Sequence, residues 1–393
     1  MNILDKLKSI LLLSLSIFWL SSASQIQLSD QAEISLITCG PGSELYSAFG
    51  HTAIRVHDLK NKIDLIYNYG TFDFDDPNFY PNFAKGNLEY FLSSYDFGRF
   101  LRSYHKEKRW VKGQVFNLDQ EDTQAIFEFL EINALPENKV YLYDYFFDNC
   151  STKPLDVLYE VLGDKITTPT IFDDKVNTHR GLIQPYVTNL PWGDFGIDLG
   201  LGSVIDRKVT PKEFLFLPEN VLDYMNEVNI VKSDTSEPLV KRVENILLEQ
   251  EQPIAKPFLT PFLFFNLIVL LAIFITWRNI KNKTLGKGFD FSLFFITGLI
   301  GLVVLLIWFA TNHISSKYNF NALWAFAPNL LVAFVLFKNK RPQWLKKYAL
   351  LCLSLLILLI IFWIFKIQVY SIAILPLTIA LGIRYFFLWK LAK

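Results

Sequence analysis

The sequence predicts an exported α+β domain followed by an all-α membrane domain of about five transmembrane helices. Three observations lead to this fold class. The chain begins with a basic and then apolar segment. Strand-like alternation and amphipathic helical patterns follow it. Long apolar stretches then predominate after Pro257. Composition changes so sharply at Pro257 that the two parts belong to different classes.

Residues 1–23 have the pattern of a signal peptide or a signal anchor. Lys6 and Lys8 precede the apolar run ILLLSLSIFWL, which ends in the small residues SSAS. Charge, apolar run and small residues in this order direct a chain across a membrane. If the segment is retained, it forms a sixth span. A lipoprotein signal would need a cysteine directly after the apolar run, and the sequence has none there.

Residues 24–165 are predicted to form a catalytic domain that starts with strands. Residues 33–39 are a strand candidate, and the segment HTAIRVHD, which begins at His51, alternates with strand period. The β-rich segment IDLIYNYGTFDF follows after a short turn. An antiparallel hairpin of these two segments would bring His51 level with roughly Asn68 to Gly70.

Two helices are predicted in the second half of this domain. The segment QAIFEFLEINAL is amphipathic and ends at Pro136. The segment STKPLDVLYEVLG begins with hydroxyl residues and has apolar residues at helical spacing, so a helix should start at or just after Cys150. Between the hairpin and these helices we expect a helical or irregular excursion and then the strand WVKGQVFNL.

Residues 166–257 are predicted to be an extension and a stalk. The first part is rich in turn-forming residues, as in PWGDFGIDLGLGSVID. The second part, KSDTSEPLVKRVENILLEQEQPIAKP, has the composition of a polar, partly helical connection to the membrane.

Residues 258–393 contain five apolar stretches, each near the roughly 20 residues that cross a bilayer. They lie at 258–276, 291–311, 322–337, 348–365 and 369–389, and the third is the shortest. Basic residues cluster after the first and third stretches and at the C-terminus. If five spans alternate, the positive-inside rule makes that side cytoplasmic and exports residues 24–257.

The charge of the exported part excludes nucleic acid as an expected partner. All but two of the 38 acidic residues fall in residues 24–257, with 22 of the 38 basic residues, giving a formal charge of −14. The sequence has no HExxH, CxxC or calcium-loop motif. We therefore predict no metal site and no cofactor.

Cys150 and His51 are the leading catalytic candidates. Cys150 is one of three cysteines and is surrounded by polar residues in FDNCSTKP, which is unusual for a buried structural thiol. The N–H groups of a helix start favour a thiolate and can also receive an oxyanion. A cysteine nucleophile needs a base and a group that orients the base. His51 fits the base, and Asn68 or Asp73 fits the orienting role, with Tyr69 a weaker option.

Other roles for Cys150 stay open at this level. It could pair with Cys39, the only other exported cysteine, in a non-enzymatic envelope scaffold. It could also serve a membrane-tethered cysteine peptidase or amidase that acts on cell-envelope peptides.

The segment NHISSKYNFNALWAFAP connects the second and third apolar stretches on the outer side. It carries His313, Asn319 and Asn321, which are polar residues close to hydrocarbon. One interpretation is an ordinary polar loop. The other is a substrate-binding surface that meets a lipid headgroup beneath the exported domain.

Five segments together resemble the Lnb family of Bacteroidota. They are CGPGSELYSAFGHTAIRV, YNYGTFDF, YDYFFDNCSTKPLDVL, PWGDFGIDLGLGSVID and NHISSKYNFNALWAFAP. The resemblance implies a lipoprotein N-acyltransferase of the bacterial inner membrane with its catalytic domain in the periplasm. In such an enzyme an acyl chain passes from a phospholipid to the N-terminal amine of a diacylglyceryl-lipoprotein.

The resemblance also implies a fold and two catalytic roles. The exported domain is similar to the permuted cysteine-peptidase fold of the NlpC/P60 group, in which the histidine strand precedes the cysteine helix. His51 precedes Cys150 in the same order. The matching positions imply Cys150 as the nucleophile and His51 as the base.

Overall fold

The computed structural model describes residues 26–73, 75–169, 178–232, 235–250, 257–338 and 341–391. The predicted signal segment at 1–23 lies outside these ranges. The described chain forms an antiparallel sheet domain, a helical extension and a bundle of apolar helices. The mixed α+β class and the order of the two parts are those predicted from the sequence.

The main sheet has seven strands, and each neighbouring pair is antiparallel. The strands are β1 Glu33–Cys39, β2 His51–Asp58, β3 Ile63–Thr71, β4 Glu89–Asp96, β5 Val111–Phe116, β6 Val140–Leu142 and β10 Val240–Leu247. Their spatial order is β10-β5-β1-β2-β3-β4-β6. Strands β2 and β3 form the predicted hairpin, with Ile54 opposite Tyr67.

Helices and a second, three-stranded sheet surround the main sheet. The helices of the exported part are α1 Phe79–Lys85, α2 Phe97–Lys106, α3 Gln120–Asn133, α4 Thr152–Leu162, α5 His179–Val187, α6 Pro191–Gly200, α7 Pro211–Phe214 and α8 Pro218–Met225. The second sheet contains β7 Ile166–Thr167, β8 Asn229–Lys232 and β9 Thr235–Pro238. The predicted helix start just after Cys150 is confirmed by α4.

Both faces of the main sheet are buried, and strand alternation decides which residue faces which side. On one face Ile54 and Val56 of β2 pack with residues of α3 and α4. On the other face Ala53 packs with Phe97 and Phe100 of α2. His51 has the same parity as Ala53, so it starts its strand on the α2 side of the sheet.

Three segments differ from the sequence expectation. The excursion after the hairpin contains α1 and a further strand, β4. The turn-rich extension is largely helical in α6 and α8. Val240–Leu247, expected in a partly helical stalk, is the edge strand β10 and pairs with β5. An edge strand exposes one side to water, so its polar composition resembles that of a linker.

The membrane part contains five helices of unequal length. They are α9 Pro261–Lys281, α10 Lys287–Ala310, α11 Asn329–Val335, α12 Trp344–Ile364 and α13 Ile374–Leu391. Among the described residues, three helices are long and apolar enough to cross a membrane by length and composition, namely α9, α10 and α12. The sequence predicts about five such helices, and the described residues contain three.

Two of the expected spans differ from the other three in length or in buried charge. The third apolar stretch is divided into a 3₁₀ turn at Phe320–Leu323 and the short helix α11. The fifth stretch forms α13, which carries the fully buried Arg384. Arg384 donates hydrogen bonds of 2.6 and 2.9 Å to the equally buried Asp290 near the start of α10. A buried charge requires such a partner, so α13 is held to α10 by an ion pair.

Candidate functional site

Cys150 lies immediately before α4, in a turn that Asn149 organises. Oδ1 of Asn149 accepts hydrogen bonds from the N–H groups of Ser151 at 2.8 Å and Thr152 at 3.1 Å. Nδ2 of Asn149 donates to the carbonyl of Phe216 at 2.8 Å, which ties the turn to the extension. The polar neighbours of Cys150 therefore build the helix start that presents the thiol.

His51 contacts Cys150 from the first position of β2. Its Nε2 lies 2.5 Å from Oδ1 of Asn68 on the adjacent strand β3. The amide oxygen can only accept, so Nε2 carries a proton and Nδ1 is the nitrogen that remains for the thiol of Cys150. The structure thus brings together three of the predicted site residues, in the order Cys150, His51, Asn68.

Aromatic rings of α2 cover the imidazole. The ring of Tyr104 is nearly parallel to that of His51, with an interplanar angle of 14° and 6.5 Å between centroids. Phe100 lies 6.4 Å from His51 on the same side. The guanidinium of Arg109 lies 4.6 Å from the Tyr104 ring centroid and donates to the carbonyl of Gly40 at 2.7 Å. These contacts restrict the rotation of the imidazole.

The two groups shift each other's pKa toward an ion pair. Burial alone would raise the pKa of Cys150, but the charge and hydrogen bond of His51 outweigh it and lower that pKa. The Thr52 backbone and the Ser151 hydroxyl add smaller contributions. Burial alone would lower the pKa of His51, whereas Cys150 and Asn68 raise it. The arrangement favours a thiolate beside an imidazolium.

Gly70 allows β3 to pass close to the thiol. Its φ of +87° lies in the left-handed region, and a Cβ there would be 3.4 Å from Cβ of Cys150 and 3.5 Å from Cε2 of Tyr143. The ring of Tyr143 stacks on Tyr90, with 4.3 Å between centroids. Two stacked tyrosine rings therefore lie beside the thiol of Cys150.

Cys39 is a neighbour of the site with a different character. It is opposite His51 in the register of β1 and β2 and is fully buried. Burial raises the pKa of Cys39, so this thiol stays protonated. Cys39, Cys150 and Cys352 are all free thiols in the structure. In the described part of the chain, no group of three or more His, Cys, Asp or Glu side chains could hold a metal ion.

The structure does not bring Asp73 to His51. Asp73 is exposed, and its carboxylate accepts a hydrogen bond from the N–H of Asp75 at 2.9 Å in a turn. Asn68 occupies the position beside the imidazole instead. Of the two candidates for the orienting role, the geometry selects Asn68.

Asn319 and Asn321 are buried and bonded within the protein, which differs from their predicted contact with a headgroup. Nδ2 of Asn319 donates to the carbonyl of Leu199 at 2.8 Å, and Nδ2 of Asn321 donates to that of Asp198 at 2.9 Å. Oδ1 of Asn321 accepts from the indole of Trp324 at 2.8 Å. These amides attach α6 to the connection between α10 and α11, called the 311–328 loop here. Their hydrogen-bonding groups are therefore already used within the protein.

His313 joins the same loop to the catalytic domain. Its Nε2 lies 3.0 Å from the carbonyl of Phe83 in α1, and its ring contacts the Phe83 ring. Gly202 makes a comparable attachment from the extension, with its N–H bonded to the carbonyl of Ser315 at 2.9 Å. The 311–328 loop thus binds the exported part through hydrogen bonds to α1, to α6 and to Gly202.

Several site residues were not predicted from the sequence. They are Asn149, which bonds the helix start and the distant carbonyl of Phe216, and Tyr104 and Tyr143, whose partners lie on other elements. Only Asn149 had a local signal, because Asx residues before a helix start often cap it.

Two family models cover most of the chain. The Lnb N-terminal periplasmic domain matches residues 23–183, and the Lnb transmembrane domain matches residues 253–393. The chain belongs to the Lnb family. No curated protein and no solved structure matched it.

Family membership sets the broad class of this Lnb protein. It is a membrane protein with a periplasmic domain, and both Lnb domains together indicate a membrane-bound enzyme that processes lipoproteins. The resemblance to the permuted NlpC/P60 fold stays a prediction, since no solved structure supports it. The order of a histidine strand before a cysteine helix is present in the structure.

Proposed function

We propose that this Lnb protein is a lipoprotein N-acyltransferase of the bacterial inner membrane that works through a Cys150 thioester. The observation that supports this best is the Cys150–His51–Asn68 arrangement, in a domain bonded to the outer ends of apolar helices. The donor is a membrane phospholipid, and the acceptor is the N-terminal amine of a diacylglyceryl-lipoprotein.

The first half-reaction forms the thioester. His51 takes the thiol proton, and the sulfur of Cys150 attacks the carbonyl carbon of a phospholipid ester. The ester C–O bond then breaks, and His51 returns the proton to the departing lysophospholipid oxygen. Asn68 holds the imidazole in the required tautomer throughout.

The donors for the oxyanion follow from the bonds at the helix start. The N–H groups of Ser151 and Thr152 are bonded to the Asn149 side chain, and that of Lys153 to its carbonyl. Within this turn we assign the remaining N–H, that of Cys150 itself, to the oxyanion. The sequence suggests that several N–H groups of the helix start could bind the oxyanion, and we now propose one of them.

The second half-reaction consumes the thioester. The acceptor amine attacks the carbonyl carbon, its proton passes to His51, and the C–S bond breaks to restore the Cys150 thiolate. Both substrates are held in the bilayer, so a membrane-attached site avoids extracting a chain at about 0.8 kcal/mol per methylene. Attachment also replaces a search in solution with proximity at the surface.

Mass spectrometry of a model lipoprotein tests the proposal. The purified protein in phospholipid vesicles should add one acyl mass to the N-terminal cysteine of the lipoprotein. Cys150→Ser should add none, and Cys352→Ser, which changes a buried thiol in the membrane part, should behave as the wild type. No added mass with folded wild-type protein would refute the assignment, and peptide cleavage instead would favour the peptidase alternative.

A further inference from the structure

Helix α1 is fixed to the end of a membrane helix. Asn312, two residues past the end of α10, donates its N–H to the carbonyl of Lys85 at 2.8 Å and its Nδ2 to Oδ1 of Asn87 at 2.8 Å. Gly86 ends α1 with a φ of +78°, and a Cβ there would lie 2.6 Å from the backbone nitrogen of His313. This close backbone contact sets the height of α1 relative to α10.

The composition of α10 indicates where the helix leaves the membrane. Residues Lys287–Ala310 form one of the three candidate membrane spans, and its last turns expose Leu306 and Phe309. Apolar side chains with this exposure belong in hydrocarbon, so the water–lipid boundary lies near Ala310. Because α1 is bonded to Asn312, it lies at this boundary.

The surface of α1 suits the boundary. None of its residues is buried, Tyr80 is 68% exposed and Phe83 is 41% exposed. Lys85 is the only charged residue of the helix. Aromatic side chains are favoured at the headgroup level, whereas in water this face would leave apolar area exposed.

A cavity of about 260 Å³ connects α1 with the wall of the active site. Its lining combines aromatic rings and carboxylates and includes Phe79, Phe83, Tyr90, Asp73, Asp76 and Glu89. Such a mixed lining suits an amphiphile at the water–lipid boundary. Tyr90 stacks on Tyr143, whose ring lies beside Gly70 and Cys150. The stacked rings of Tyr90 and Tyr143 therefore lie between the cavity and Cys150.

We propose that α1 rests in the outer leaflet of the bilayer and forms one wall of the entrance through which a membrane-held substrate reaches Cys150. The occupant of its exposed face is the lipid surface. The entrance role rests on the acyltransferase proposal, whereas contact of α1 with lipid does not.

Spin-label accessibility tests the lipid contact without using activity. In a Cys150→Ser background, Tyr80→Cys carries a nitroxide label, and Leu59→Cys in the β2–β3 turn serves as the control because Leu59 is 71% exposed. In nanodiscs the label at position 80 should be more accessible to oxygen than to a water-soluble nickel chelate. The label at position 59 should give the opposite order. A label at position 80 as accessible to nickel as that at position 59 overturns the proposal.

A charged side chain at position 80 tests whether α1 forms part of the substrate entrance. Tyr80→Glu should slow acyl transfer from vesicle phospholipid about tenfold, because a carboxylate disfavours the interface, whereas Leu59→Glu should not. Alkylation of Cys150 by soluble iodoacetamide should be unchanged in both. Transfer by Tyr80→Glu at the wild-type rate overturns the entrance role. If the wild type transfers nothing, the acyltransferase proposal fails, and the spin labels still decide the lipid contact.

Discussion

Replacing Asn68 by alanine should raise the pH at which Cys150 becomes reactive. Oδ1 of Asn68 lies 2.5 Å from Nε2 of His51, and this hydrogen bond raises the pKa of the imidazole. A hydrogen bond to a charged group contributes about 1.5–3 kcal/mol, against about 0.5–1.5 kcal/mol for a neutral one. The imidazolium therefore loses about 1–1.5 kcal/mol more than the neutral ring when the bond is removed.

That difference corresponds to about a tenfold change in an equilibrium constant, since about 1.4 kcal/mol is a factor of ten. A lower pKa of His51 means less imidazolium beside the sulfur, so the pKa of Cys150 rises. The equilibrium constant between the thiolate–imidazolium pair and the neutral pair should therefore fall about tenfold. The rate of alkylation of Cys150 by iodoacetamide, followed by mass spectrometry across pH, should be lower at neutral pH and have its midpoint at a higher pH than in the wild type.

Two further variants make the assay specific. Asn68→Asp places a carboxylate at the imidazole, which favours the charged ring, so the midpoint should stay at or below that of the wild type. Asn133→Ala removes another side-chain amide, which accepts a hydrogen bond from Tyr69 of β3 at 2.8 Å, and should leave the midpoint unchanged. A folded Asn68→Ala protein with the wild-type midpoint would refute the orienting role of Asn68.

Three other substitutions test backbone fit and burial. Gly70→Ala and its control Gly163→Ala both place alanine at a positive φ, so each should lower the free energy of unfolding by about 1–2 kcal/mol. Only Gly70→Ala should also slow alkylation of Cys150, because only Gly70 lies beside that thiol. Gly202→Ala would place a Cβ 1.9 Å from the carbonyl oxygen of Lys317 in the 311–328 loop, so it should lower the melting temperature in detergent. Gly196→Ala is the control, because a Cβ at position 196 would have open space, and it should leave the melting temperature unchanged. The buried guanidinium of Arg180 pairs with both Asp198 and Asp206, at 2.7 Å for Asp206. Asp206→Asn removes one of these two charges and should lower the free energy of unfolding by about 1.5–3 kcal/mol, the contribution of a hydrogen bond to a charged group. An unchanged free energy of unfolding would contradict the burial argument.

The pairing of Cys150 with His51 was accessible from the sequence because each residue has a local signal. His51 begins an alternating strand after a glycine, and Cys150 precedes a segment with helical spacing. The hairpin register then limits which residues of β3 can approach His51. That register made Asn68 a candidate but could not exclude Asp73. The choice depends on where β3 ends, which is set by tertiary contacts.

The parts that sequence reasoning missed depend on contacts between distant segments. Strand β10 is recognisable only through its pairing with β5, more than 100 residues earlier. Tyr104 covers His51 because α2 packs across the sheet, and nothing local in RSYHK indicates that contact. The position of Asn319 and Asn321 near the membrane permits either an ordinary polar loop or contact with a lipid headgroup. Their partners on α6 are more than 100 residues away and could not be inferred.

Two separate attachments fix the orientation of the catalytic domain on the helices. One joins α1 to Asn312 and His313, and the other joins α6 and Gly202 to the rest of the 311–328 loop. A single attachment would leave the domain free to rotate about it, whereas two attachments at different points remove that freedom. Cys150 therefore keeps a fixed height and direction relative to the bilayer. Under the acyltransferase proposal this geometry keeps the site within reach of an ester or amine that stays in the membrane, so that no substrate has to be captured from solution.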